Sequence, residues 1–450
     1  MRSKRTVAVI LALVTLLSAC ASVATPAPQA AGPTVAPAAQ PTQAPQAAKP
    51  GEKKITFWHI GSDEGSQKLI QDSVDRFIAA NPDVQVEVVP LQNDPFKTKL
   101  KVAMGAGDPP CIFPSWSGGP LYEYVKAGQV VDLTEWMNKD NYKNHFVDAA
   151  INQATFDSKI WGVPVENTAV ALIFYNRQIF DKLGLKPPQT YDELLDIVKK
   201  LKDAGIAPFA LANKTKWPGS MYYMYLVDRL GGPDVFRKAA TRTGGSFEDP
   251  VFVEAGKRLQ DLVKAGAFAE GYNGLDFDTG QSRMLQYSGK AAMELMGTWN
   301  IGVFKGDNID YYNNNMGFFP FPALKDGKGD PSDVVGTIGD NFYSISTKCK
   351  YPQEAFALIK YLIDDQAVAE RGKAGLIPPV KGFMTDDPVL KQVISIVENA
   401  KNVQLWYDQY LPPDLGEIHK DTSQALFGLT MTPEEAAKQM EAGAKKAFGK

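Results

Sequence analysis

The stretch Trp161–Asn176, WGVPVENTAVALIFYN, places the strongest constraint on how this chain can fold. Its first residues are apolar and are interrupted by Pro164, which is typical of a short strand end or a crossing rather than a helix. Val170–Tyr175 is a continuous apolar run and predicts a strand buried on both faces. Between them lies Glu166-Asn167, and a buried carboxylate is costly unless it is paired. We therefore predict that the chain passes here from one lobe into a second. Glu166 then lies at the floor of a cleft, with either a structural partner or a polar ligand.

The length and composition narrow the class of protein. At 450 residues the chain is too long for one ordinary hydrophobic core, so we expect two domains. The net charge is −3, with no long basic run after the N-terminus, which argues against nucleic acid as a partner. The histidines His59, His145 and His419 lie far apart and no Cys-x-x-Cys spacing exists, so we predict no metal site and no cofactor.

The N-terminus has the pattern of an export signal followed by an anchor. A positive segment, Met1–Arg5, precedes the apolar run Val7–Leu17, which is too short to span a bilayer. The run ends in Leu-Ser-Ala-Cys20, which resembles the bacterial lipobox and implies cleavage before Cys20 and a lipid on its thiol. We predict a signal peptide at 1–19; the alternative is an ordinary signal peptide with a chance cysteine.

The next residues have the composition of a tether. Residues 21–50 are almost entirely Ala, Pro, Gln, Thr, Val and Gly, which cannot bury enough apolar surface to fold. We assign 20–53 to the lipidated cysteine and a linker, which puts the protein at the cell exterior, anchored to the membrane. Cys111 and Cys349 remain, and the sequence leaves open whether they form a disulfide or stay as buried thiols.

The globular part alternates between strands and helices. Predicted strands at Lys54–Ile60, Val84–Leu91 and Pro110–Trp116 enclose predicted helices at Ser66–Ala80 and Phe96–Met104. This order predicts a parallel α/β sheet. The predicted helices beyond the crossing are Thr190–Ala204, Trp217–Leu230, Val251–Ala265, Pro352–Ile363, Val389–Ala400 and Thr432–Phe448, and the predicted strands are Pro208–Leu211, Gly289–Gly297 and Asn341–Ser346.

A return crossing completes the two-lobe scheme. Met316–Ala323 is extended and twice interrupted by proline, which makes it the candidate for the return of the chain to the first lobe. We assign 54–165 plus 325–375 to an N-terminal lobe and 166–324 plus 376–450 to a C-terminal lobe. Ligands of open α/β sheets bind at the carboxyl ends of the strands, which can face each other across a hinge.

Several stretches together resemble one protein family. They are ITFWH, WGVPVENTAVALIFYNRQIFDKLGL, QSRMLQYSGKAAMELMGTW, MGFFPFPAL, AFALIKYL, GLIPPVKG and TPEEAAKQMEAGAKKAF, spread over residues 54–450. The globular part resembles the family-1 extracellular solute-binding proteins of ABC importers, which include the maltose-binding proteins. The resemblance implies a two-lobed α/β periplasmic-binding-protein fold of type II, a hinge and a cleft. It also implies a sugar ligand, a membrane permease as partner, a monomer and no enzymatic activity.

Aromatic and polar side chains near strand ends predict the ligand site. An indole offers a flat apolar face to the C–H face of a sugar, and Asp, Glu and Asn bind paired hydroxyls. The predicted ligand-binding residues are Trp58, Asn93, Asp94, Trp116, Glu166, Trp217, Trp299, Asp340, Asn341 and Trp406. Core packing is the alternative for each tryptophan, and we assign Trp161 to hinge packing. Where the family often has paired glycines, this chain has Ile338-Gly339-Asp340-Asn341, and Asp340 could instead cap a turn.

Two other functions remain open from the sequence. The same fold could bind a polyol or a glycerol phosphodiester, although a phosphate would favour an Arg/Lys cluster, and only Lys97, Lys214 and Lys216 lie nearby. A secreted carbohydrate-active enzyme would need two carboxylates facing one glycosidic bond, such as Glu166 with Asp340. The carboxylates of Asp276 and Asp278 predict a helix N-cap rather than a calcium loop, because further ligands are missing.

Overall fold

The computed structural model describes residues 52–339 and 341–449. The signal peptide, Cys20, nearly all of the linker and Asp340 therefore lie outside the described residues. The strands are β1 (Lys53–His59), β2 (Val84–Pro90), β3 (Ile112–Ser115), β4 (Thr155–Phe156), β5 (Lys159–Ile160), β6 (Val163–Pro164), β7 (Ala169–Asn176), β8 (Ala207–Phe209), β9 (Ala291–Gly297), β10 (Met316–Phe319), β11 (Val334–Thr337), β12 (Phe342–Ile345) and β13 (Val403–Gln404).

Helices cover both sheets of the described part. They are α1 (Glu64–Ala80), α2 (Asn93–Ala106), α3 (Gly119–Lys126), α4 (Thr134–Asn138), α5 (Asp148–Gln153), α6 (Arg177–Lys182), α7 (Tyr191–Asp203), α8 (Trp217–Gly231), α9 (Pro233–Thr241), α10 (Pro250–Lys264), α11 (Gln281–Tyr287), α12 (Asn300–Asp307), α13 (Ile309–Asn314), α14 (Pro352–Tyr361), α15 (Asp365–Lys373), α16 (Pro388–Asn399), α17 (Tyr407–Tyr410), α18 (Pro413–Phe427) and α19 (Pro433–Phe448), with short 3-10 segments at Lys139–His145 and Tyr272–Gly274. In the described ranges no helix is both long and apolar enough to span a bilayer.

The first sheet has the strand order β2-β1-β3-β12-β6. Its first three strands are parallel, as the alternation of strands and helices predicted. β12 then pairs antiparallel with β3, and β6 antiparallel with β12, so the sheet is mixed. Because β2 and β3 lie on opposite sides of β1, the carboxyl end of β1 is a switch point, where a crevice is expected. We call this sheet and the helices packed on it the first lobe.

The second sheet has the order β13-β11-β7-β9-β8, and β10 also pairs with β7. β7 runs antiparallel to β9, β10 and β11, whereas β8 is parallel to β9 and β13 is parallel to β11. All strands except β7 therefore point the same way. Seven of the eight residues of β7 are buried, which confirms the predicted strand buried on both faces. This sheet and its helices form the second lobe.

Each lobe has its own hydrophobic core. The cluster around the second sheet runs from Val170 to Ala444 and includes most of the buried side chains of α8. The first lobe is packed on its two sheet faces, by a cluster that contains Phe57 and Ile359 and by a smaller one that contains Phe96 and Phe113. Capping boxes at Thr190 and Thr432 begin α7 and α19.

The chain passes between the lobes at three places in the described residues. They follow β6, β11 and α15. The first and third lie side by side, since the Thr168 amide donates to the Ile377 carbonyl at 2.7 Å, and a hydrogen bond from Asn341 to Glu166 brings the second beside the first. The predicted return crossing at Met316–Ala323 is wrong, because β10 lies in the second sheet and its prolines follow the strand instead of redirecting the chain. β11 also belongs to the second sheet, although the boundary at 324/325 would assign it to the first lobe.

A disulfide between Cys111 and Cys349 settles the question that the sequence left open. Cys111 precedes β3 and Cys349 follows β12, and these strands are antiparallel neighbours, so the two ends meet. The Ser346 amide donates to the Cys111 carbonyl at 3.0 Å beside the bridge. The bridge closes a loop with a sequence separation of 238 residues that contains most of the second lobe. A cross-link over so long a loop restricts the unfolded chain and thereby stabilises the fold.

The second sheet contains a buried carboxylate. Glu294 lies in the middle of β9 and is 1% exposed. Burial raises the pKa of its carboxyl to about 7, although Ser282, Arg283 and Asn300 favour the ionised form. Since the ordinary value is 4.5, unfolding exposes a group that ionises more readily in water. Between pH 4.5 and 7 the unfolded chain binds fewer protons at this group, so stability falls as the pH rises through this window.

We expect Glu294→Gln to stabilise the protein at neutral pH, because glutamine carries no charge to bury. The raised pKa of Glu294 lowers the free energy of unfolding of the wild type by roughly 3 kcal/mol above pH 7 and by almost nothing below pH 4.5. The difference in Tm between the variant and the wild type should therefore grow as the pH rises through this window. Glu398→Gln, on the exposed face of α16, is the matched control. A difference in Tm that does not change with pH would contradict this interpretation of Glu294.

Candidate functional site

The strand directions bring the ends of both sheets to one place. In the first sheet the carboxyl ends of β1, β2 and β3 lead into Gly61, Asn93 and Trp116. In the second sheet β8, β9 and β13 lead towards Trp217, Trp299 and Trp406, and β7 begins at this same edge. The crossings supply Glu166 before β7 and Asn341 before β12.

These ends enclose a cavity of about 210 Å³ between the lobes. Seven predicted ligand-binding residues line it, namely Asn93, Trp116, Glu166, Trp217, Trp299, Asn341 and Trp406. A larger depression of about 640 Å³ lies elsewhere, between α7 and α10. It is lined mainly by lysines, carboxylates and arginine on helix surfaces and contains none of the predicted residues. We take the interlobe cavity as the candidate site, because aromatic and polar groups of both lobes converge there.

The second lobe contributes a chain of aromatic rings. The Trp299 ring lies 5.9 Å from the Trp217 ring and 5.7 Å from the Trp406 ring, both edge to face. Phe277 extends the chain, with its ring 5.1 Å from that of Trp217. Trp217 and Trp299 are half-buried, whereas Trp406 is 4% exposed. Rings held in this way keep fixed orientations, so the exposed part of each indole presents a rigid apolar surface to the cavity.

The first lobe contributes one indole among polar groups. Trp116 packs edge to face on Phe96 at 5.7 Å, and the Lys97 ammonium lies 4.9 Å from its ring centre. Asp63 caps α1 by accepting from the Ser66 amide at 2.8 Å and also lines the cavity. Asn93 lies at the start of α2, where its amide nitrogen donates to Asp94 at 3.3 Å. This side therefore offers hydrogen-bonding groups next to a single aromatic face.

Glu166 has structural partners and also lines the cavity. Its Oε2 accepts from the Asn341 Nδ2 at 3.0 Å, and its Oε1 accepts from the Tyr343 hydroxyl at 3.2 Å. Tyr343 is fully buried, and burial together with the Glu166 charge raises the pKa of its hydroxyl well above the usual value. The sequence left open whether Glu166 has a partner or meets a ligand; the structure gives it two partners and also places it on the cavity wall.

The charges that line the cavity are mainly negative. Among the described residues that line it, four carboxylates, those of Asp63, Glu166, Asp278 and Asp408, accompany two cations, Lys97 and Arg371. Burial raises the pKa of Asp278 to about 6, with Asp276 and Asp94 adding repulsion and Arg283 and Lys97 opposing them. Among the described residues, no group of His, Cys, Asp and Glu side chains could hold a metal ion. The cavity is thus rich in hydrogen-bond acceptors.

Comparison with known proteins places the chain in a family. The model of the bacterial extracellular solute-binding protein family matches residues 60–369. The chain belongs to this family.

Three similar proteins match the chain over most of its length, including both lobes. An uncharacterized ABC transporter extracellular-binding protein of Pyrococcus horikoshii is 27% identical over 385 residues, which is 82% of this chain and 81% of the relative. A solved structure from work on xylan utilization by Caldanaerobius polysaccharolyticus is 33% identical, with a TM-score of 0.81 over 86% of this chain and 99% of that chain. A chitin oligosaccharide binding protein is 25% identical, with a TM-score of 0.81 over 89% of this chain and 100% of that chain.

Two predicted residues of this solute-binding protein lie away from the cavity wall. Trp58 does not line the cavity, because it lies within β1 and its ring packs on a sheet face, 6.5 Å from Phe96 and beneath the Lys99 ammonium. Asp94 faces Asn93 and lies 3.8 Å from the Lys97 ammonium. Asp340 lies outside the described residues. Trp161 is packed with the first lobe, where its indole nitrogen donates to the Phe156 carbonyl at 3.2 Å.

Sequence reasoning missed several residues that line the cavity of the solute-binding protein. The main ones are Asp63, Phe277, Asp278, Arg371 and Asp408. Asp63 could have been found, because it lies four residues beyond the end of β1 and caps the next helix. Lys214 and Lys216 do not line the cavity, since they pair with Asp276 and Asp421 instead.

We expect the Glu166 interaction to contribute to stability independently of any ligand. Glu166→Ala should lower the free energy of unfolding by about 1–3 kcal/mol, since the buried Tyr343 hydroxyl loses its acceptor. Tyr343→Phe in the Glu166→Ala background should recover part of this loss, because no orphaned hydroxyl remains. Urea unfolding of the wild type, both single variants and the double variant measures the coupling. Strictly additive effects would show that the two side chains do not interact.

Proposed function

We propose that this solute-binding protein captures a sugar in the interlobe cavity and delivers it to the permease of an ABC importer. The observation that carries the proposal is the pairing of indole faces with carboxylates and amides around one cavity. The flat face of an indole suits the C–H face of a pyranose, and the hydrogen-bond acceptors suit the hydroxyl groups of the sugar. The volume of about 210 Å³ lies below the roughly 300–1,000 Å³ of pockets for drug-sized ligands, which favours a short saccharide.

The charge of the cavity supports a sugar over a phosphodiester. A phosphate would meet four carboxylates and two cations, whereas phosphate sites favour clustered arginine and lysine. The carboxylates do not repel the neutral hydroxyl groups of a sugar, and these hydroxyl groups can donate hydrogen bonds to the carboxylates. A polyol fits the acceptors equally well but has no ring to cover an indole face, so it remains the second candidate.

The similar proteins support the same ligand class and partner. One belongs to work on xylan utilization and another is a chitin oligosaccharide binding protein, both with TM-scores of 0.81. The Pyrococcus horikoshii relative is named as an ABC transporter extracellular-binding protein, which supports a membrane permease as the partner of this chain. We also propose that the protein acts as a monomer outside the cell, held to the membrane by a lipid on Cys20.

Hinge closure is the proposed mechanism. The crossings after β6, β11 and α15 lie together, so the lobes can rotate about them while the cavity opens. A ligand that contacts both lobes favours the closed form by its differential affinity for that form. In this proposal the first lobe comprises about 53–165 and 342–373 and the second about 169–337 and 388–449, with the crossings between them.

An enzyme is the alternative from another class. A glycosidase needs one carboxylate free to act as an acid and another to act as a base or nucleophile. Here both oxygens of Glu166 accept hydrogen bonds from Asn341 and Tyr343, which suits a positioning role. Members of the family are binding proteins, which favours capture without chemistry.

A thermal-shift screen tests the proposed function directly. Protein from residue 20 onward, with Cys20→Ser, is heated with mono- and oligosaccharides, polyols and glycerol phosphodiesters. A ligand that binds only the folded state raises the midpoint in a concentration-dependent way. A shift with a sugar that is recovered intact supports the proposal. A midpoint raised by phosphodiesters alone would show that the ligand is a phosphodiester and not a sugar. Release of reducing sugar from a glycoside would show that the protein is an enzyme.

We expect Trp299→Ala to weaken binding of that sugar at least about tenfold, the equivalent of about 1.4 kcal/mol. Trp299 lies between Trp217 and Trp406 in the aromatic chain, so its loss removes a surface and loosens both neighbours. Titration calorimetry measures the affinity. Trp58→Ala is the matched control, since this half-buried indole does not line the cavity. Equal affinities of the wild type and Trp299→Ala would place the ligand elsewhere.

A further inference from the structure

Beside the cavity, the backbones of the two lobes come into direct contact. The first-lobe segment is Gly118-Gly119, which follows the cavity residue Trp116 and begins α3. The second-lobe segment is Gln409–Pro412, which comprises the last two residues of α17 and the connection to α18. We call this contact the glycine seam. The elements on either side, α3 and α17, are in contact.

The seam leaves no room for a side chain. A Cβ on Gly118 would lie 2.3 Å from the Gln409 carbonyl oxygen. A Cβ on Gly119 would lie 2.1 Å from the Leu411 carbonyl oxygen and 2.5 Å from its carbonyl carbon. These are backbone atoms, which cannot rotate away as the end of a long side chain can. A side chain at either position therefore forces the two segments apart.

Both sides of the seam are firmly attached to their own lobes. Leu411 is fully buried in the second-lobe core, and the Tyr407 ring stacks on Phe236 with centres 3.5 Å apart. On the first lobe the Ser117 hydroxyl donates to Gln153 at 3.2 Å, and Leu121 of α3 is fully buried. Because neither segment can yield alone, separating them requires the lobes themselves to move apart.

We propose that Gly118 and Gly119 set the sugar affinity by allowing the two lobes to close onto each other, backbone against backbone. This inference rests on the proposed capture of a ligand by hinge closure. Ligand contacts that need both lobes form only in the closed state, so a change in the closing equilibrium changes the apparent affinity. The two glycines therefore determine affinity without contacting the ligand.

Gly119→Ala tests the seam most cleanly. Gly118 has a φ of +75°, so a side chain there is strained in any state, whereas Gly119 lies outside the left-handed region. Any local strain of an alanine before Pro120 is present in both open and closed forms and does not change the binding equilibrium. Gly105→Ala is the matched control, because this helical glycine in α2 has nothing within 4 Å of its Cβ position.

The experiment uses protein from residue 20 onward with Cys20→Ser, and the sugar that gives the largest thermal shift. Titration calorimetry should show a Kd raised at least about tenfold for Gly119→Ala, and wild-type affinity for Gly105→Ala. Small-angle scattering should show that saturating sugar compacts the wild type and Gly105→Ala more than Gly119→Ala. Wild-type affinity and compaction in Gly119→Ala would overturn the seam as a determinant of closure.

The proposed function and the role of the glycine seam can be contradicted independently of each other. If the wild type binds no sugar, the proposed function is wrong, and the seam is then judged by scattering from the ligand-free proteins. In that case Gly119→Ala must have a larger radius of gyration than both the wild type and Gly105→Ala. Equal radii of all three proteins would overturn the seam.

Discussion

The carboxylate of Glu166 links two of the three crossings between the lobes, at the wall of the cavity. Its two acceptor bonds, from Asn341 and Tyr343, join the first crossing of the chain to the start of β12. Both oxygens of this half-buried carboxylate are thus occupied by donors from the other crossing and from β12. The backbone bond between Thr168 and Ile377 adds the third crossing. The crossings that border the cavity are therefore held to one another by side-chain and backbone hydrogen bonds.

Seven of the described residues that line the candidate cavity could be predicted because strand ends are readable in a sequence. Trp116, Trp299 and Trp406 each follow a strand within two residues, and nearly all strands of each sheet have their carboxyl ends at the cavity. Trp58 shows the limit of this reasoning. It lies one residue before the end of β1, and a residue inside a strand points to a sheet face rather than off the end. Here that face is covered by α2.

The remaining features depend on distant pairing, which no local pattern records. β11 is only four residues long, and it lies in the second sheet because it pairs with Ala169 and Val170, more than 160 positions earlier. Asp278 and Asp408 reach the cavity from a loop and a short helix, and Arg371 from the last turns of α15. No local pattern marks these three positions in the sequence, so their place at the cavity follows only from the folded arrangement. The Cys111–Cys349 bridge likewise follows from the pairing of β3 with β12.

The two lobes present different chemistry to the same space, which explains why closure matters. The second lobe supplies most of the aromatic surface, and the first lobe supplies Trp116 together with Asp63, Asn93 and Lys97. A ligand that uses both the apolar face and the hydroxyl edges of a sugar reaches its full set of contacts only when the lobes meet. Those contacts differ between the open and closed states, and only such a difference can shift the equilibrium. How closely the lobes meet is limited at the glycine seam, where backbone already touches backbone.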